Sequence, residues 1–218
     1  MELNPLTALS PIDGRYARQT DALRDIFSEC AFMNARVRVE VEWLISLSEA
    51  GFAELPHLSD HGKAFLRGLA DNFSLADCEA IKEIEKTTNH DVKAVEYWIK
   101  NQVAHDEELK SASEFVHFSC TSEDINNTSH AIMLKRGREA LADYLQQIHD
   151  TIAGFAHQWA EIPMLSRTHG QTASPTTVGK EFANVAVRLE RVIEAIRAVK
   201  IYAKMNGAVG NYNAHLIS

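Results

Sequence analysis

The sequence predicts an all-α protein, and two observations carry this prediction. Apolar residues recur at the three- and four-residue spacing of amphipathic helices through most of the 218 residues. Serine, threonine and aspartate, which are typical of helix N-caps, stand directly before most of these apolar stretches. We identify no competing strand-like run. We therefore expect a compact helical domain over residues 1–110, followed by long bundle helices over residues 111–218.

The N-terminal segment is predicted to be irregular up to about residue 19. It contains two prolines and the turn-forming pair Asp13-Gly14, which directly precedes Arg15-Tyr16. One long amphipathic helix is then predicted from the N-cap Thr20 to Gly51.

Three shorter helices are predicted before residue 110. The first begins near Ser59, and the second is opened by a capping box from Ser74 to Asp77. The third begins near Asp91, which places Asn89, His90 and Asp91 at its N-terminal end. Free N–H groups at such a position can bind an anionic ligand.

Two longer helices are predicted after residue 110. The capping-box pattern occurs in residues 111–114 and again in residues 121–124. The proline-free run from Ile125 to Trp159 would then extend for roughly 50 Å as a helix. Another helix is predicted from Ser174-Pro175 to Asn206-Gly207. The apolar stripes of these helices need more partner surface than the short helices offer, so we expect self-association.

The composition argues against nucleic acid and membranes as main partners. The net charge is −8 and the pI is near 5.7. No run of about 18 apolar residues is long enough for a membrane span, and the N-terminus lacks the pattern of a leader peptide. The three cysteines are far apart and lack CxxC spacing. We therefore expect no disulfide framework, no zinc site and a cytoplasmic location.

The strongest candidate for chemistry is His169, which lies in the polar segment from Ser166 to Pro175. A histidine with hydroxyl, amide and glycine neighbours can transfer a proton near neutral pH. The helix predicted to start at Ser174 would add free N–H groups and a favourable dipole for an anion. From this local context alone, a catalytic and a structural role for His169 are equally supported.

Three further polar clusters are candidates with structural alternatives. Arg15-Tyr16 is suited to clamp a phosphate, but an exposed turn explains it equally well. The cluster Asn89-His90-Asp91 and the pair Thr121-Ser122 are both typical of helix caps. The ten histidines show neither an HExxH motif nor pairing with cysteines, so we expect no metal site.

Taken together, these segments resemble the adenylosuccinate lyases, most closely the bacterial purine-biosynthesis type, within the aspartase/fumarase superfamily. The resemblance covers the whole chain and rests on residues 10–16, 87–97, 118–127, 166–175 and 206–215. Gly170 discriminates within the superfamily, because fumarases and argininosuccinate lyases usually have leucine after the histidine. Thr172, where many relatives have proline, is a minor departure.

The resemblance implies an all-α lyase that eliminates fumarate from adenylosuccinate, leaving AMP, and from the succinyl-carboxamide ribotide SAICAR, leaving AICAR. It implies that His169 is the general acid and that no metal or organic cofactor takes part. It further implies a cytoplasmic homotetramer whose small-molecule partners are these nucleotides. The substrate-binding residues that it implies are Arg15, Tyr16, Asn89, His90, Asp91, Thr121 and Ser122, with His117 as a further candidate.

One signature of the family is missing from these residues. The mobile Ser-Ser-x-Met-Pro-x-Lys-x-Asn-Pro loop, which carries the base serine in the family, does not occur in the sequence. The chain therefore resembles only the N-terminal half of the enzyme, with a truncated central bundle, and we expect it to be inactive alone. The alternatives are another lyase of the superfamily and a non-catalytic helical oligomerisation module.

Overall fold

A computed structural model of the chain describes residues 4–51 and 54–217, and helices account for most of them. Residues 1–3 and 218 lie outside the described residues. The leader-peptide and truncation predictions concern these two ends of the sequence. The α-helices are α1 (Arg24–Phe27), α2 (Glu29–Glu49), α3 (Asp60–Asp71), α4 (Leu75–Thr88), α5 (Asp91–Val103), α6 (Glu107–Ala112), α7 (Ser122–Gln158), α8 (Val178–Ala198) and α9 (Asn213–Ile217). Short 3-10 turns cover Asp21–Leu23 and Ser113–Phe115, and the strands are β1 (Pro163–Thr168) and β2 (Gln171–Thr177).

The all-α prediction is confirmed apart from the sheet that these two strands form. Among the described residues, none of the helices combines the length and the apolar character that crossing a bilayer requires.

The chain divides into two compact units. The first contains the described residues up to Leu134 together with those from Tyr202 onward, and the second contains Lys135–Ile201. Helix α7 therefore contributes to both units. Neither division lies at residue 110, and the predicted boundary between an N-terminal domain and a bundle domain stays a prediction.

Helix α2 is central to the core of the first unit. Its side chains at Met33, Val37, Val41 and Leu44 are almost fully buried. They belong to one apolar cluster with residues of α3, α4, α5 and α6, including Leu66, Ile81, Val95, Ile99 and Leu109. Burial of this cluster fixes α2 in the interior, and two of the charged residues that α2 carries are buried with it.

The predicted single helix from Thr20 to Gly51 is interrupted at Ser28, so this prediction was wrong. Ser28 has an extended backbone, and its Oγ accepts a hydrogen bond of 3.1 Å from the N–H of Ala31. A serine side chain competes well for such an N–H, which starts a new helix at Glu29. Cys30, in the first turn of this helix, forms a disulfide with Cys78 of α4, contrary to the expectation of no disulfide.

Most other helix starts agree with the predicted caps. Ser59 caps α3, Ser74 and Asp77 form the capping box of α4, and α5 begins at Asp91. The predicted capping box at residues 111–114 was wrong, because Asp106 instead accepts a hydrogen bond from the N–H of Leu109 and starts α6. That earlier start places residues 111 and 112 inside a helix.

The second unit contains a β-hairpin where the sequence predicts a loop and a helix start. Strands β1 and β2 are antiparallel, with Thr168 opposite Gln171, and a bulge interrupts the register between Leu165 and Arg167. Helix α8 begins only after Thr177, whose Oγ1 accepts a hydrogen bond of 3.2 Å from the N–H of Lys180. The predicted start at Ser174-Pro175 was therefore wrong. Proline is tolerated in β2 because both strands of a two-stranded sheet are edges.

Helix α8 also ends earlier than predicted, at Ala198 rather than near Asn206. The backbone of Val199 is extended, and its carbonyl oxygen accepts a hydrogen bond of 2.5 Å from Nη1 of Arg138 on α7. This contact satisfies a carbonyl that the helix end leaves without an intrahelical partner.

Candidate active site

Two buried charged residues of α2 lie at the base of the candidate site in the first unit. Arg36 is 3% exposed and Glu40 is fully buried, one helical turn further along. Beside them, Val39 packs with Val92 of α5 and Ile125 of α7 in a small apolar cluster. This packing brings the N-terminal turns of α5 and α7 together against α2. The sequence analysis missed both charged residues, although both lie at the three- and four-residue spacing of the buried apolar residues of α2, a signal that could have identified them.

Arg36 connects the beginning of α5 with the first turn of α7. Its Nη2 donates to Oδ2 of Asp91 at 2.5 Å, and its Nε donates to Oδ1 of Asn126 at 2.8 Å. The guanidinium carbon also lies 3.9 Å from the ring centroid of Phe32. Burial raises the pKa of Asp91, but the hydrogen bond from the Val92 N–H and the Arg36 charge outweigh it, so the pKa lies below its usual value.

The structure brings His90 and Ser122, two of the predicted site residues, into contact. Asn89 ends α4 in the left-handed conformation, with φ of 49°. His90 then caps α5, because its Nδ1 accepts a hydrogen bond of 3.2 Å from the N–H of Lys93. A neutral ring with Nδ1 as acceptor carries its hydrogen on Nε2. His90 Nε2 lies 3.3 Å from Oγ of Ser122 and can donate to it.

Thr121 is held at the N-terminus of α7 by Asp124, which is fully buried. The N–H and the Oγ1 hydroxyl of Thr121 donate to Oδ2 of Asp124 at 2.9 and 3.0 Å. The other carboxylate oxygen accepts from Lys204 Nζ at 3.0 Å and from the Asn206 N–H at 2.9 Å. Asp124 therefore fastens the segment after α8 to the start of α7.

His117 lies in a tight turn before α7 and contacts a buried carboxylate. Its Nδ1 is 2.6 Å from Oε1 of Glu40. Its backbone has a positive φ of 64°, which is uncommon for a residue with a side chain. The turn therefore holds this imidazole in a backbone conformation that the surrounding contacts must stabilise.

Arg15 and Tyr16 lie in the irregular segment before α1, as predicted, and both are exposed. The guanidinium carbon of Arg15 lies 5.6 Å from the Tyr16 ring centroid. The Tyr16 N–H donates to the Pro11 carbonyl oxygen at 2.8 Å, which fixes the local turn. The role of this pair in nucleotide binding stays a prediction.

His169 lies in the second unit, at the tip of the β-hairpin, and is exposed. His169 and Gly170 are the two loop residues, and both have positive φ, of 50° and 74°. Positive φ at both loop positions is the pattern of a type I′ turn, which favours glycine at the second position. The prediction that a helix N-terminus lies beside His169 was wrong, because α8 begins eight residues after Gly170. The role of His169 as general acid stays a prediction.

Within the first unit, the arrangement is suited to bind an anion. The N-termini of α5 and α7 lie close together, and both supply N–H groups and favourable dipoles. The rings of His90 and His117 and the hydroxyl of Ser122 add further hydrogen-bonding groups beside these N-termini. In the part of the chain that the structure describes, no group of three His, Cys, Asp or Glu side chains is placed to hold a metal ion.

Comparisons with known proteins show clear sequence relatives. A family model described as Lyase matches residues 14–218. An adenylosuccinate lyase from Vibrio cholerae is 56% identical over 218 residues, which cover 99% of this chain and 48% of that protein. Adenylosuccinate lyases from Haemophilus influenzae and Escherichia coli K12 are 55% and 53% identical, with the same coverage. The chain thus spans about half the length of the curated relatives it matches.

Solved structures show a similar fold at low sequence identity. A fumarate lyase from Mesorhizobium sp. BNC1 has a TM-score of 0.69 and 19% identity, covering 89% of this chain and 44% of that protein. A 3-carboxy-cis,cis-muconate lactonizing enzyme from Pseudomonas putida has a TM-score of 0.66 and 22% identity, covering 89% of this chain and 43% of that protein. These likenesses concern the fold alone.

Proposed function

The chain belongs to the Lyase family, and on this premise we propose that it is the N-terminal half of an adenylosuccinate lyase. The complete enzyme would release fumarate from adenylosuccinate, leaving AMP, and from SAICAR, leaving AICAR. The observation that carries the proposal is the high identity, over nearly the whole chain, to curated adenylosuccinate lyases of three bacteria.

The reaction is a β-elimination that breaks a C–N bond. A base removes the proton from the succinyl Cβ, and that C–H electron pair becomes the double bond of fumarate. The electrons of the C–N bond leave with the nitrogen, which takes a proton from a general acid. We assign the acid to His169, whose exposed loop position leaves the imidazole accessible. The base would come from a segment that this chain does not contain.

The first unit would bind the negative charges of the substrate. Thr121 and Ser122 are assigned to the succinyl carboxylates, and the cluster Asn89-His90-Asp91 forms a second substrate loop. The contact of His90 with Ser122 supports placing these two segments around one ligand. Arg15 and Tyr16 are assigned to the nucleotide, because guanidinium and phenol groups both donate to phosphate.

We further propose a cytoplasmic homo-oligomer, a tetramer in the complete protein. The oligomer is supported by the large apolar side chains that α7 and α8 expose within the second unit, including Leu141, Ile148, Phe155, Val185 and Val192, whereas the location rests on the likeness to the lyases alone. Exposed apolar side chains in this density mark surfaces that bind other protein surfaces. Light scattering of the purified chain would report the oligomeric state.

A chimaera tests the proposed activity. Residues 1–218 of this chain would replace the matching part of the Escherichia coli adenylosuccinate lyase, and cleavage of adenylosuccinate would be followed by absorbance. We expect the chimaera to turn over and the 218-residue chain alone to be inactive. His169→Ala in the chimaera should lower kcat by at least about 100-fold, the usual range for a general acid.

His105→Ala serves as the matched control, because His105 is an exposed histidine between α5 and α6. It should leave kcat unchanged. A folded, assembled chimaera without adenylosuccinate cleavage would refute the proposed function. Near-normal turnover of the His169→Ala variant would instead remove only the assignment of the acid.

A further inference from the structure

We propose that Glu40 is a positioning residue that shares a retained proton with Nδ1 of His117 and thereby keeps a hydrogen on Nε2, the nitrogen that donates to an anionic substrate group. The nature of the ligand rests on the proposed function, whereas the state of the imidazole does not. No motif in the sequence singles out Glu40.

The first support is the environment of the Glu40 carboxylate. The residue is fully buried, and its Oε1 lies 2.6 Å from Nδ1 of His117. Among the described residues, its Oε2 has no hydrogen-bond partner. A buried carboxylate with one oxygen unpaired is costly, so the contact with His117 is its principal compensation. We therefore infer that this carboxylate acts on the protonation of His117.

The second support is the way in which α2 holds the turn that carries His117. Trp43, three residues after Glu40 on the same helix, donates from Nε1 to the Phe118 carbonyl oxygen at 2.8 Å. Within the turn, the Cys120 N–H donates to the His117 carbonyl oxygen at 3.1 Å. Helix α2 thus holds both the backbone of the turn and the imidazole ring. These contacts stabilise the positive φ of His117.

The charges around this pair favour a retained proton. Burial lowers the pKa of His117, but the hydrogen bond and charge of Glu40, with a further contribution from Glu96 of α5, outweigh it and raise the pKa. Lys93 of α5 acts in the opposite direction and only partly cancels this effect. Burial also raises the pKa of Glu40, more than His117 lowers it. Cys120 adds no charge, because burial raises the pKa of its thiol above its usual value.

The position of the shared proton does not change the outcome at Nε2. If the proton is on Nδ1, the ring is an imidazolium and Nε2 carries a hydrogen. If the proton is on Glu40, Nδ1 is the acceptor, and a neutral ring then carries its hydrogen on Nε2. Only loss of the retained proton, leaving Glu40 ionised and Nδ1 as the donor, would turn Nε2 into an acceptor. Glu40 therefore keeps the outer nitrogen a donor through neutral pH.

The direct test is nitrogen and carbon NMR of the His117 ring in the 218-residue chain between pH 5 and 9. In the native chain we expect Nε2 to carry a hydrogen at pH 7 and the ring to titrate above about 6.5, the ordinary histidine value. Glutamine cannot retain the proton, so Glu40→Gln should lower this titration midpoint by at least about one unit. Glu42→Gln is the control, since Glu42 is on the same helix but pairs with Arg67.

Two results would overturn the proposal. One is a native ring with Nδ1 protonated and Nε2 as acceptor at pH 7, which needs no variant and so holds even if Glu40→Gln does not fold. The other is a His117 midpoint that is the same in the native and Glu40→Gln chains.

The chimaera supplies a functional measurement. At pH 7, Glu40→Gln should raise KM for adenylosuccinate about tenfold with little change in kcat, because the variant ring is neutral there and no longer offers a charged donor. The defect should shrink as the pH falls through the lowered midpoint of the variant ring. A KM defect that does not vary with pH would show a merely structural role and contradict the proposal. An inactive chimaera with Glu40 intact would refute the proposed function and leave the NMR result to decide the role of Glu40.

Discussion

Replacing Asp124 with asparagine should destabilise the first unit far more than its small change in shape implies. Every polar group that contacts the carboxylate oxygens of Asp124 is a hydrogen-bond donor. One oxygen faces the Thr121 N–H and hydroxyl, and the other faces Lys204 Nζ and the Asn206 N–H. The Gly207 N–H lies 3.1 and 3.2 Å from the two oxygens. An amide group would place its NH₂ against at least two of these donors in either orientation.

The magnitude follows from this arrangement. Two hydrogen bonds to a buried charge are lost, each worth about 1.5–3 kcal/mol, and the donors left behind are desolvated. We therefore expect Asp124→Asn to lower the free energy of unfolding by about 3–5 kcal/mol. Glu123→Gln is the matched control, because Glu123 is exposed in the same helical turn, and it should change the unfolding free energy by less than about 0.5 kcal/mol.

The pH dependence has a defined sign. Burial raises the pKa of Asp124, but the hydrogen bonds from the Thr121 N–H, Lys204 and the Thr121 hydroxyl outweigh it, so the folded-state pKa is lowered. A lowered pKa contributes stability that is present above the unfolded-state pKa, about 4, and is lost as the pH falls through the folded-state pKa. The difference between native and Asp124→Asn chains should therefore shrink below about pH 4.

Urea unfolding by circular dichroism measures the global effect, and amide hydrogen exchange locates it. The N–H groups of Asn206 and Gly207 should exchange much faster in Asp124→Asn, since both donate to the carboxylate. An unfolding free energy within about 1 kcal/mol of the native value, with both amides still protected, would refute the reasoning.

Three further perturbations test the packing and the charges. Gly179→Ala should destabilise the second unit by about 2–3 kcal/mol in thermal unfolding, because the added methyl group would lie 2.3 Å from a carbonyl oxygen of α7. Gly154→Ala is the control and should be neutral or stabilising, because its methyl group meets no atom within 4 Å. Arg36→Met should cost about 2–4 kcal/mol in urea unfolding, since it leaves two buried or half-buried oxygens without a donor; an unchanged midpoint would contradict this. Cys120 should react with iodoacetamide at least about tenfold more slowly than free cysteine at pH 7.5, because burial and then the charges of Glu40 and Asp124 raise its pKa, and urea should abolish the difference.

Local signals in the sequence were sufficient for most helix starts. Ser59, Ser74 and Asp91 were identified correctly because a cap forms hydrogen bonds within a few residues of itself. The length of α7 was also predicted, since no proline interrupts its apolar spacing. The same local reasoning did not detect the break at Ser28, where apolar spacing continued across a serine that caps a new helix.

The hairpin around His169 shows why local pattern was insufficient there. Ser174-Pro175 is a good helix start by propensity, yet both residues lie in β2, where Pro175 is opposite Leu165 of β1. A two-residue turn with positive φ at His169 and Gly170 joins the strands, and threonine-rich strands favour that pairing. The pairing gains hydrogen bonds between segments that a helix-cap argument considers separately.

The sequence by itself determined the helical class, most caps and the motifs that resemble a lyase family, because all of these depend on spacing along the chain. Only the tertiary structure decided which groups meet. Arg36 and Glu40 lie in the candidate site because the apolar packing of α2 buries them against α5, α7 and the His117 turn. Asp124 became a junction for the same reason, since its partners lie about 80 residues away in sequence. A buried charge is costly unless it is paired, and the tertiary packing determines which partners lie within reach.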